Sequence, residues 1–557
     1  MIGGGMKLSI KGWTFVILLA FFLIKMFVTD DFNKSENNPS KSVQEAALSI
    51  VAGSESKNIE NIITSCAEKA GVAVSMSYSG SVDMMLDMKK KDFSPDAVLP
   101  ASSIWLRLGD QEFHRVKDEA SIMRSPVALG IKKPLAQSLG WVGADVTVSD
   151  ILNAVESGRF HFAMTSATQS NSGFSSYMGM LVALAGKPDV LTKENLDDPG
   201  LRKNIKKLLN GVNRGSGSSG WLMEMFVKDY DKLDAMFNYE SMIIAANQEL
   251  IRAGKDPLYI VYPVDGLAVA DSTLGFVSKP ENPDNAKKEE AFIRLRDCLL
   301  GDDAGNRIIK TGFRAGLIGM NPDGAPKDVY NPDWGIDLGR TISPVVWPDA
   351  DVTVKALNLY QTVFRKPSFT VFAVDCSGSM KGRGLLDLKA ALDNLFDPER
   401  SGQYLIQTGG GDITVIIPFD HDHLWSEPLV IKGNEKKDLD VLIYKINGLE
   451  TRGGTNIYLP IADSWNIFGS YGNDLYNYLP SVILMTDGKS NNGSLDQLMD
   501  YWRSLHAGFD IPPVFCIMYG DADDGQLKAI ADATSGRVFD GRSGGLEKAF
   551  RNAKGYN

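Results

Sequence analysis

The chain contains the stretch Val371-Phe372-Ala373-Val374-Asp375-Cys376-Ser377-Gly378-Ser379-Met380. It begins as an apolar, β-branched run and ends in one acid, two hydroxyls and a glycine. This pattern predicts a buried parallel strand followed by a loop at its carboxyl end, where open α/β sheets place their ligand sites. Asp375, Ser377 and Ser379 alternate with two other residues, so their oxygen-bearing side chains can converge on one point. Oxygen ligands suit a hard divalent cation, above all Mg²⁺.

Two later segments supply further oxygen ligands. Segment 451–456 is glycine-rich and places Thr455 at a predicted helix start, and the apolar run 482–485 ends in Thr486-Asp487-Gly488. Strands and helices alternate from residue 369 onward, which predicts an α/β fold with a mostly parallel sheet and helices on both faces. An alternative is that Asp375 and Asp487 are only turn residues.

With these motifs in this order, residues 368–557 resemble von Willebrand factor A (VWA) domains, which have a Rossmann-like, doubly wound fold. The resemblance implies a complete metal-ion-dependent adhesion site that binds Mg²⁺ or Mn²⁺. It also implies that one coordination position stays open for an acidic side chain of a protein partner. The implied metal ligands are Asp375, Ser377, Ser379, Thr455 and Asp487.

An earlier α/β pattern begins near residue 46, and several of its predicted strands run into hydroxyl-rich turns that open helices. Helix N-termini expose backbone N–H groups and attract anions, so these turns are candidate walls of a ligand site. Ordinary N-capping by serine is the alternative for any single turn. Segment 213–220 is interpreted as a further polar loop of this kind. The predicted cleft residues are Ser54, Glu55, Ser79, Ser81, Ser102, Thr168, Gln169, Ser170, Asn171, Ser172, Tyr239 and Asp265.

Residues 44–348 resemble a bacterial extracytoplasmic solute-binding protein of the two-lobed type. The resemblance implies two α/β lobes joined by crossing strands, with the ligand in the cleft between them. The first lobe would hold residues 44–125 and return from about 265, and the second would hold 127–260. The oxyanion-binding branch is the most similar, which implies a small polar or anionic solute. Residues 349–367 are predicted to form a connector helix that is stopped by Pro367.

The N-terminus carries a targeting signal. Lys7 and Lys11 precede an apolar run at 13–28, which is long for the core of a signal peptide and short for a transmembrane helix. No small-residue cleavage site follows it. We therefore expect an uncleaved transmembrane signal anchor at 13–28, with residues 1–12 in the cytoplasm and the bulk extracytoplasmic beyond a flexible tether at 29–43. A cleaved signal peptide and a buried helix are the alternatives.

Net charge and cysteine spacing argue against two classes of function. The chain has 557 residues and a formal net charge of −11, which argues against a nucleic-acid binder. Its four cysteines, Cys66, Cys298, Cys376 and Cys516, lack the spacing of a zinc site and are predicted to be small buried hydrophobes. The segment 421–423, His-Asp-His, is predicted to be an exposed turn rather than a metal site.

No nucleophile elbow, P-loop, H-E-x-x-H motif or acid–base pair occurs in the sequence, so we do not expect an enzyme. The whole chain resembles bacterial substrate-binding and VWA domain-containing proteins. It is predicted to be a membrane-anchored binding protein that combines a ligand-binding cleft with a Mg²⁺-dependent protein-interaction site. One alternative is the solute receptor of an ABC-type uptake system that uses the VWA domain for docking. A metal-dependent hydrolase is another.

Overall fold

The computed structural model describes residues 46–315, 324–338, 344–505 and 508–556. The predicted anchor at 13–28 and its flanking segments lie outside these residues. Within the described ranges, no helix has the length and apolar character needed to cross a membrane. The predicted α/β class is confirmed, since strands and helices alternate along the described chain.

The strands are, in chain order, β1 (Ala46–Ala52), β2 (Val72–Tyr78), β3 (Ala97–Leu99), β4 (Val116–Ser121), β5 (Ser125–Lys132), β6 (Phe162–Thr165), β7 (Val212–Ser216), β8 (Ala235–Tyr239), β9 (Leu258–Val261), β10 (Val269–Ala270), β11 (Thr273–Val277), β12 (Ser368–Asp375), β13 (Ile413–Phe419), β14 (Leu429–Lys432), β15 (Leu479–Thr486), β16 (Val514–Met518) and β17 (Arg537–Asp540). The α-helices span Glu60–Lys69, Ser81–Met88, Ile104–Gly109, Lys133–Ser138, Val148–Glu156, Asn171–Leu184, Lys193–Asp197, Pro199–Leu209, Ser219–Lys228, Glu240–Arg252, Asn285–Leu300, Asp302–Ile309, Ala350–Leu359, Arg383–Phe396, Pro398–Gln403, Lys436–Asn447, Tyr458–Gly469, Leu495–Ser504, Asp524–Ala533, Gly541–Gly544 and Leu546–Gly555.

Two mixed sheets form the first part of the chain. The first has the order β2-β1-β3-β11-β4, and the second has the order β10-β5-β8-β6-β7 with β9 also paired to β5. The chain passes to the second sheet at β5 and returns to the first at β11. We call the first sheet with its helices the first lobe, and the second sheet with its helices the second lobe.

The third sheet has the order β14-β13-β12-β15-β16-β17, and all its neighbours are parallel except β13 and β14. We call this sheet with its helices the C-terminal domain. Successive side chains of β12 point to opposite faces. Phe372 packs in a core with Leu388 of one helical layer, and Val371 packs in another core with Trp465 of the other layer. Helices therefore cover both faces of this sheet.

The connector at 349–367 is packed against the second lobe and is not a free spacer. Its α-helix ends at Leu359 and continues as a π-helical turn over Tyr360–Phe364. The Tyr177 hydroxyl of the second lobe donates to the Ala356 carbonyl at 2.9 Å, and the Tyr177 and Tyr360 rings lie 5.1 Å apart. These contacts fix the connector to the second lobe.

The prediction for two of the cysteines is wrong, because Cys66 and Cys298 form a disulfide. Their Cα atoms lie 5.6 Å apart, within the range that a disulfide spans. The helices Glu60–Lys69 and Asn285–Leu300 pack side by side and bring them together across 232 residues of sequence. Helix packing at such a separation leaves no local signal. Cys376 and Cys516 are buried free thiols, as predicted.

Candidate functional site

A cavity of about 460 Å³ lies between the two lobes, and we call it the cleft cavity. Helices Ser81–Met88, Asn171–Leu184 and Ser219–Lys228 begin at its wall, so their N-terminal ends contribute unpaired backbone donors there. The Ser54 and Ser218 hydroxyls lie 3.2 Å apart and connect one lobe to the other. The cavity is thus a cleft between the lobes with mostly polar walls.

A hydrogen-bonded chain orders one wall of the cavity. Asn171 is buried; its Oδ1 accepts from the Trp105 indole N–H at 2.7 Å, and its Nδ2 donates to the Tyr239 hydroxyl at 3.1 Å. Because the indole only donates, this bond fixes the orientation of the Asn171 amide.

Glu55 is the acid at the opposite wall. It is 5% exposed, and its Oε1 has no hydrogen-bond partner among the described residues. Burial raises the pKa of Glu55 to about 7, while a hydrogen bond from its own backbone N–H acts in the other direction. A buried carboxyl oxygen without a partner is costly, so this atom suits a donor group supplied by a ligand.

The structure brings most of the predicted cleft residues together. The predicted residues that line the cavity are Ser54, Glu55, Ser79, Ser81, Gln169, Ser170, Asn171 and Tyr239. The remaining four, Ser102, Thr168, Ser172 and Asp265, lie away from it.

Each of these four has a different environment. Ser102 is fully buried. Thr168 donates to Gln361 of the connector at 3.2 Å, and Ser172 bonds Thr165 at 2.8 Å. Asp265 accepts from the backbone N–H of Val148 at 2.9 Å and so caps a helix start. Three of the four side chains thus serve the internal structure through specific hydrogen bonds.

The C-terminal domain supplies a wall that the sequence patterns did not predict. Residues of β17, of the last helix and directly after that helix line the cavity, namely Arg537, Phe539, Lys548, Asn552 and Tyr556. The last helix carries apolar residues at helical spacing, Leu546, Ala549, Phe550 and Ala553, which was the available signal for it. That spacing predicts a helix and says nothing of its contact with the cleft.

Specific contacts hold this helix against both lobes. Arg551 pairs with Asp83 of the first lobe at 3.1 Å, and the Arg551 carbonyl accepts from Gln169 of the second lobe at 2.9 Å. The Tyr556 ring packs edge-on against Trp221 at 5.0 Å. The C-terminal domain therefore closes the cleft cavity.

The five predicted metal ligands come from three loops at the carboxyl edge of the third sheet. Asp375 ends β12, and Asp487 follows β15, the parallel neighbour of β12. The Ser377 and Ser379 hydroxyls lie 3.0 Å apart, and Ser379 donates to Asp487 at 2.6 Å. A Cβ placed on Gly488 would lie 3.5 Å from the hydroxyl oxygens of both Ser379 and Thr455. The loops thus bring two carboxylates and three hydroxyls together.

Burial and hydrogen bonds act on the pKa values of the two acids, Asp375 and Asp487. Asp375 is fully buried and accepts from the Thr486 hydroxyl at 2.6 Å and from the Ser377 backbone N–H at 2.7 Å. Burial raises the pKa of Asp375 to about 6, and the nearby Asp487 carboxylate also raises it. Burial raises the pKa of Asp487 as well. A positive charge at this point would relieve both effects.

This donor set fits a hard divalent cation, which prefers oxygen ligands. Among the described residues, no three His, Cys, Asp or Glu side chains are placed to hold a metal ion. A cation here would therefore depend on the hydroxyls as well as the two acids. Ser379 is exposed, so the group of ligands is reachable from solvent. His421 is exposed as predicted, with a half-exposed imidazole beside the buried Asp420.

Comparisons with known proteins bear on the first part of the chain. A family model described as bacterial extracellular solute-binding protein matches residues 48–314, just under half of the chain. No curated protein matches the chain.

Among solved structures, the ferric binding protein from Campylobacter jejuni is 13% identical, covers 56% of this chain and 98% of its own, and has a TM-score of 0.40. The periplasmic binding protein AfuA from Actinobacillus pleuropneumoniae, with fructose-6-phosphate bound, is 11% identical and covers 55% and 90%, with a TM-score of 0.37. A von Willebrand factor type A protein from Catenulispora acidiphila is 21% identical and has a TM-score of 0.29. The match covers 35% of this chain and 43% of that one.

Proposed function

We propose that this chain is a membrane-anchored extracytoplasmic binding protein that holds a small polar or anionic solute in the cleft cavity. The observation that carries the proposal is the cavity between the lobes, which is lined by three helix N-termini and by Glu55 with its unpartnered oxygen. The family match over residues 48–314 supports it. The Cys66–Cys298 disulfide supports an oxidising compartment outside the cytoplasm.

Different residues of the cleft cavity would contact different groups of the solute. Backbone N–H groups at the starts of helices Ser81–Met88 and Asn171–Leu184 would receive the acceptor or anionic atoms of the solute. Glu55 would accept a hydrogen bond from a donor group of the solute. A ligand that satisfies both walls has acceptors at one end and a hydroxyl or ammonium group at the other.

The C-terminal domain is proposed to present a Mg²⁺ or Mn²⁺ site to an acidic side chain of a protein partner. Asp375, Ser377, Ser379, Thr455 and Asp487 would hold the ion. The cation would supply the positive charge that attracts the carboxylate of the partner. Ser379 marks the exposed side from which the partner would approach.

The two functions are proposed to be coupled through the last helix. The connector at 349–367 is one route for this coupling, because it joins the two parts of the chain. The contacts favour a more direct route, because Arg551 and Tyr556 belong to the C-terminal domain and lie at the cleft. A solute that binds only the closed cleft would hold the C-terminal domain in place, since a ligand stabilises the state that it prefers.

Native mass spectrometry of the full chain purified from its host tests solute binding. We expect a mass excess of one small molecule on the wild-type protein and its loss from Asn171→Ala, since that change removes both hydrogen bonds of the ordered wall. Thr192→Ala is the control, because Thr192 caps an exposed helix on the surface. A wild-type protein that carries no additional mass would contradict the proposal.

A further inference from the structure

A second cavity, of about 320 Å³, lies between the second lobe and the C-terminal domain, and we call it the interface cavity. It borders Leu479 at the start of β15 and Pro513, which precedes β16. Parallel strands start at one edge of a sheet and end at the other, and the metal loops follow the ends of β12 and β15. The interface cavity is therefore distinct from the metal site, and its size is that of a small-molecule site.

One part of its lining is apolar and aromatic. Leu475 is buried at its base, and Tyr478, Phe509 and Pro512 add rings and a flat apolar surface. Tyr476 is 63% exposed at the rim, an unusual exposure for a large ring, and its hydroxyl donates to the Gly508 carbonyl at 2.8 Å. This part suits an apolar or aromatic body.

Two cations face the same space without a paired acid. Lys366 is 9% exposed, and within the described residues its ammonium has neither an ion pair nor a hydrogen bond. Burial lowers the pKa of Lys366 to about 8, so it stays mostly protonated at neutral pH. Arg214 donates to the Ser535 carbonyl, while its buried Nε has no partner.

The nearby acids offset these charges only in part: burial lowers the pKa of Arg214, and the charge of Asp229 acts in the other direction. Asp229 and Asp510 line the cavity, but Asp510 is exposed and Asp229 is half-exposed, and neither forms an ion pair with Arg214 or Lys366. A buried charge without a partner is costly, so proteins rarely retain one without a use. The arrangement combines an apolar surface with two unpaired positive charges.

We propose that the interface cavity binds a small amphiphilic anion, with its carboxylate or phosphate group against Lys366 and Arg214 and its apolar body against the aromatic lining. This site is distinct from the metal loops, and it adjoins the cleft cavity at Tyr556, whose side chain lines both. Because one wall belongs to the second lobe and the other to the C-terminal domain, the bound anion would join the two.

Fluorescence titration with 1-anilinonaphthalene-8-sulfonate, an aromatic anion, tests the site on the full chain at pH 7. We expect one saturable site with enhanced fluorescence. Lys366→Met should weaken binding of the dye at least tenfold, because the substitution removes the charge and keeps a similar side-chain volume. Its fold is expected to be retained, since an apolar side chain replaces an unpaired buried charge. Arg214→Met should act in the same direction.

Three controls test whether the dye binds in the interface cavity through its buried cations. Lys232→Met removes an exposed cation from the same rim and should change the affinity less than threefold. Lys57→Met removes a cation from the cleft cavity and should leave the affinity for the dye unchanged. The neutral analogue N-phenyl-1-naphthylamine should bind wild type and Lys366→Met equally.

Competition by phenylacetate and by phenyl phosphate distinguishes the two anionic groups, because the better competitor identifies the natural one. The absence of saturable binding would overturn the proposal. So would an affinity that Lys366→Met leaves within twofold of the wild-type value, or a failure of both competitors at millimolar concentration.

Discussion

The guanidinium of Arg551 lies 3.1 Å from the carboxylate of Asp83, and this pair fastens the last helix of the chain to the first lobe. The two side chains are 8% and 19% exposed, so solvent screens the pair only weakly. The Tyr404 ring lies 4.8 Å from the guanidinium on another side. Arg551 therefore depends on a specific partner for its charge.

Replacing Asp83 should loosen this contact. Asp83→Ala leaves the buried Arg551 without its acid, and we expect the free energy of unfolding to fall by about 3 kcal/mol. Urea denaturation measures the change. Asp87→Ala is the matched control on the same helix, because its pair with Lys90 is more exposed, at 31% and 52%, and is worth at most about 1 kcal/mol. Equal losses in the two variants would contradict the role given to Asp83.

The buried Glu55 makes stability depend on pH. Its pKa in the folded protein is about 7, above the ordinary value of 4.5. Between these two values the folded state holds more protons than the unfolded state, so stability falls as the pH rises through this window. A shift of this size corresponds to roughly 3 kcal/mol at pH 8.

Glu55→Gln removes this titration. We expect the variant to exceed the wild-type protein in free energy of unfolding at pH 8 and to match it near pH 4, as measured by urea denaturation at both values. Glu68→Gln, at an exposed position of the following helix, should be neutral throughout. A wild-type stability that is flat between pH 4 and pH 8, with no gain in Glu55→Gln, would count against the buried acid.

The Cys66–Cys298 disulfide can be tested by counting free thiols. The chain has four cysteines, and Cys66 and Cys298 are paired. Thiol titration of the denatured, unreduced protein should find two free thiols, and four after reduction. Reduction should lower the free energy of unfolding by about 3 to 5 kcal/mol, because the bond closes a loop that spans 232 positions. Four thiols before reduction would rule the bond out.

The sequence indicates the proposed metal ligands because four of them lie in short motifs at the ends of apolar strands and Thr455 lies in a glycine-rich loop. Asp375 and Asp487 follow such strands directly, and a parallel sheet brings these ends together. Eight cleft residues were predicted for a similar reason. The cleft wall from the C-terminal domain could not be predicted, because Gln169 and Arg551 are 382 residues apart and meet only through domain packing. The Cys66–Cys298 pair could not be predicted for the same reason, and Asp265, predicted to line the cleft, instead binds the backbone at the start of a helix.

Calorimetric titration of Mg²⁺ into the chelator-treated full chain tests whether the loops that carry Asp375 and Asp487 hold a divalent cation. We expect one binding site per chain, lost in Asp375→Ala because that change removes a buried acid from the group of ligands. Asp496→Ala, at an exposed position of the same domain, should bind like the wild type. Absence of Mg²⁺ binding to the wild-type chain, or equal affinity in Asp375→Ala, would rule out the proposed cation site.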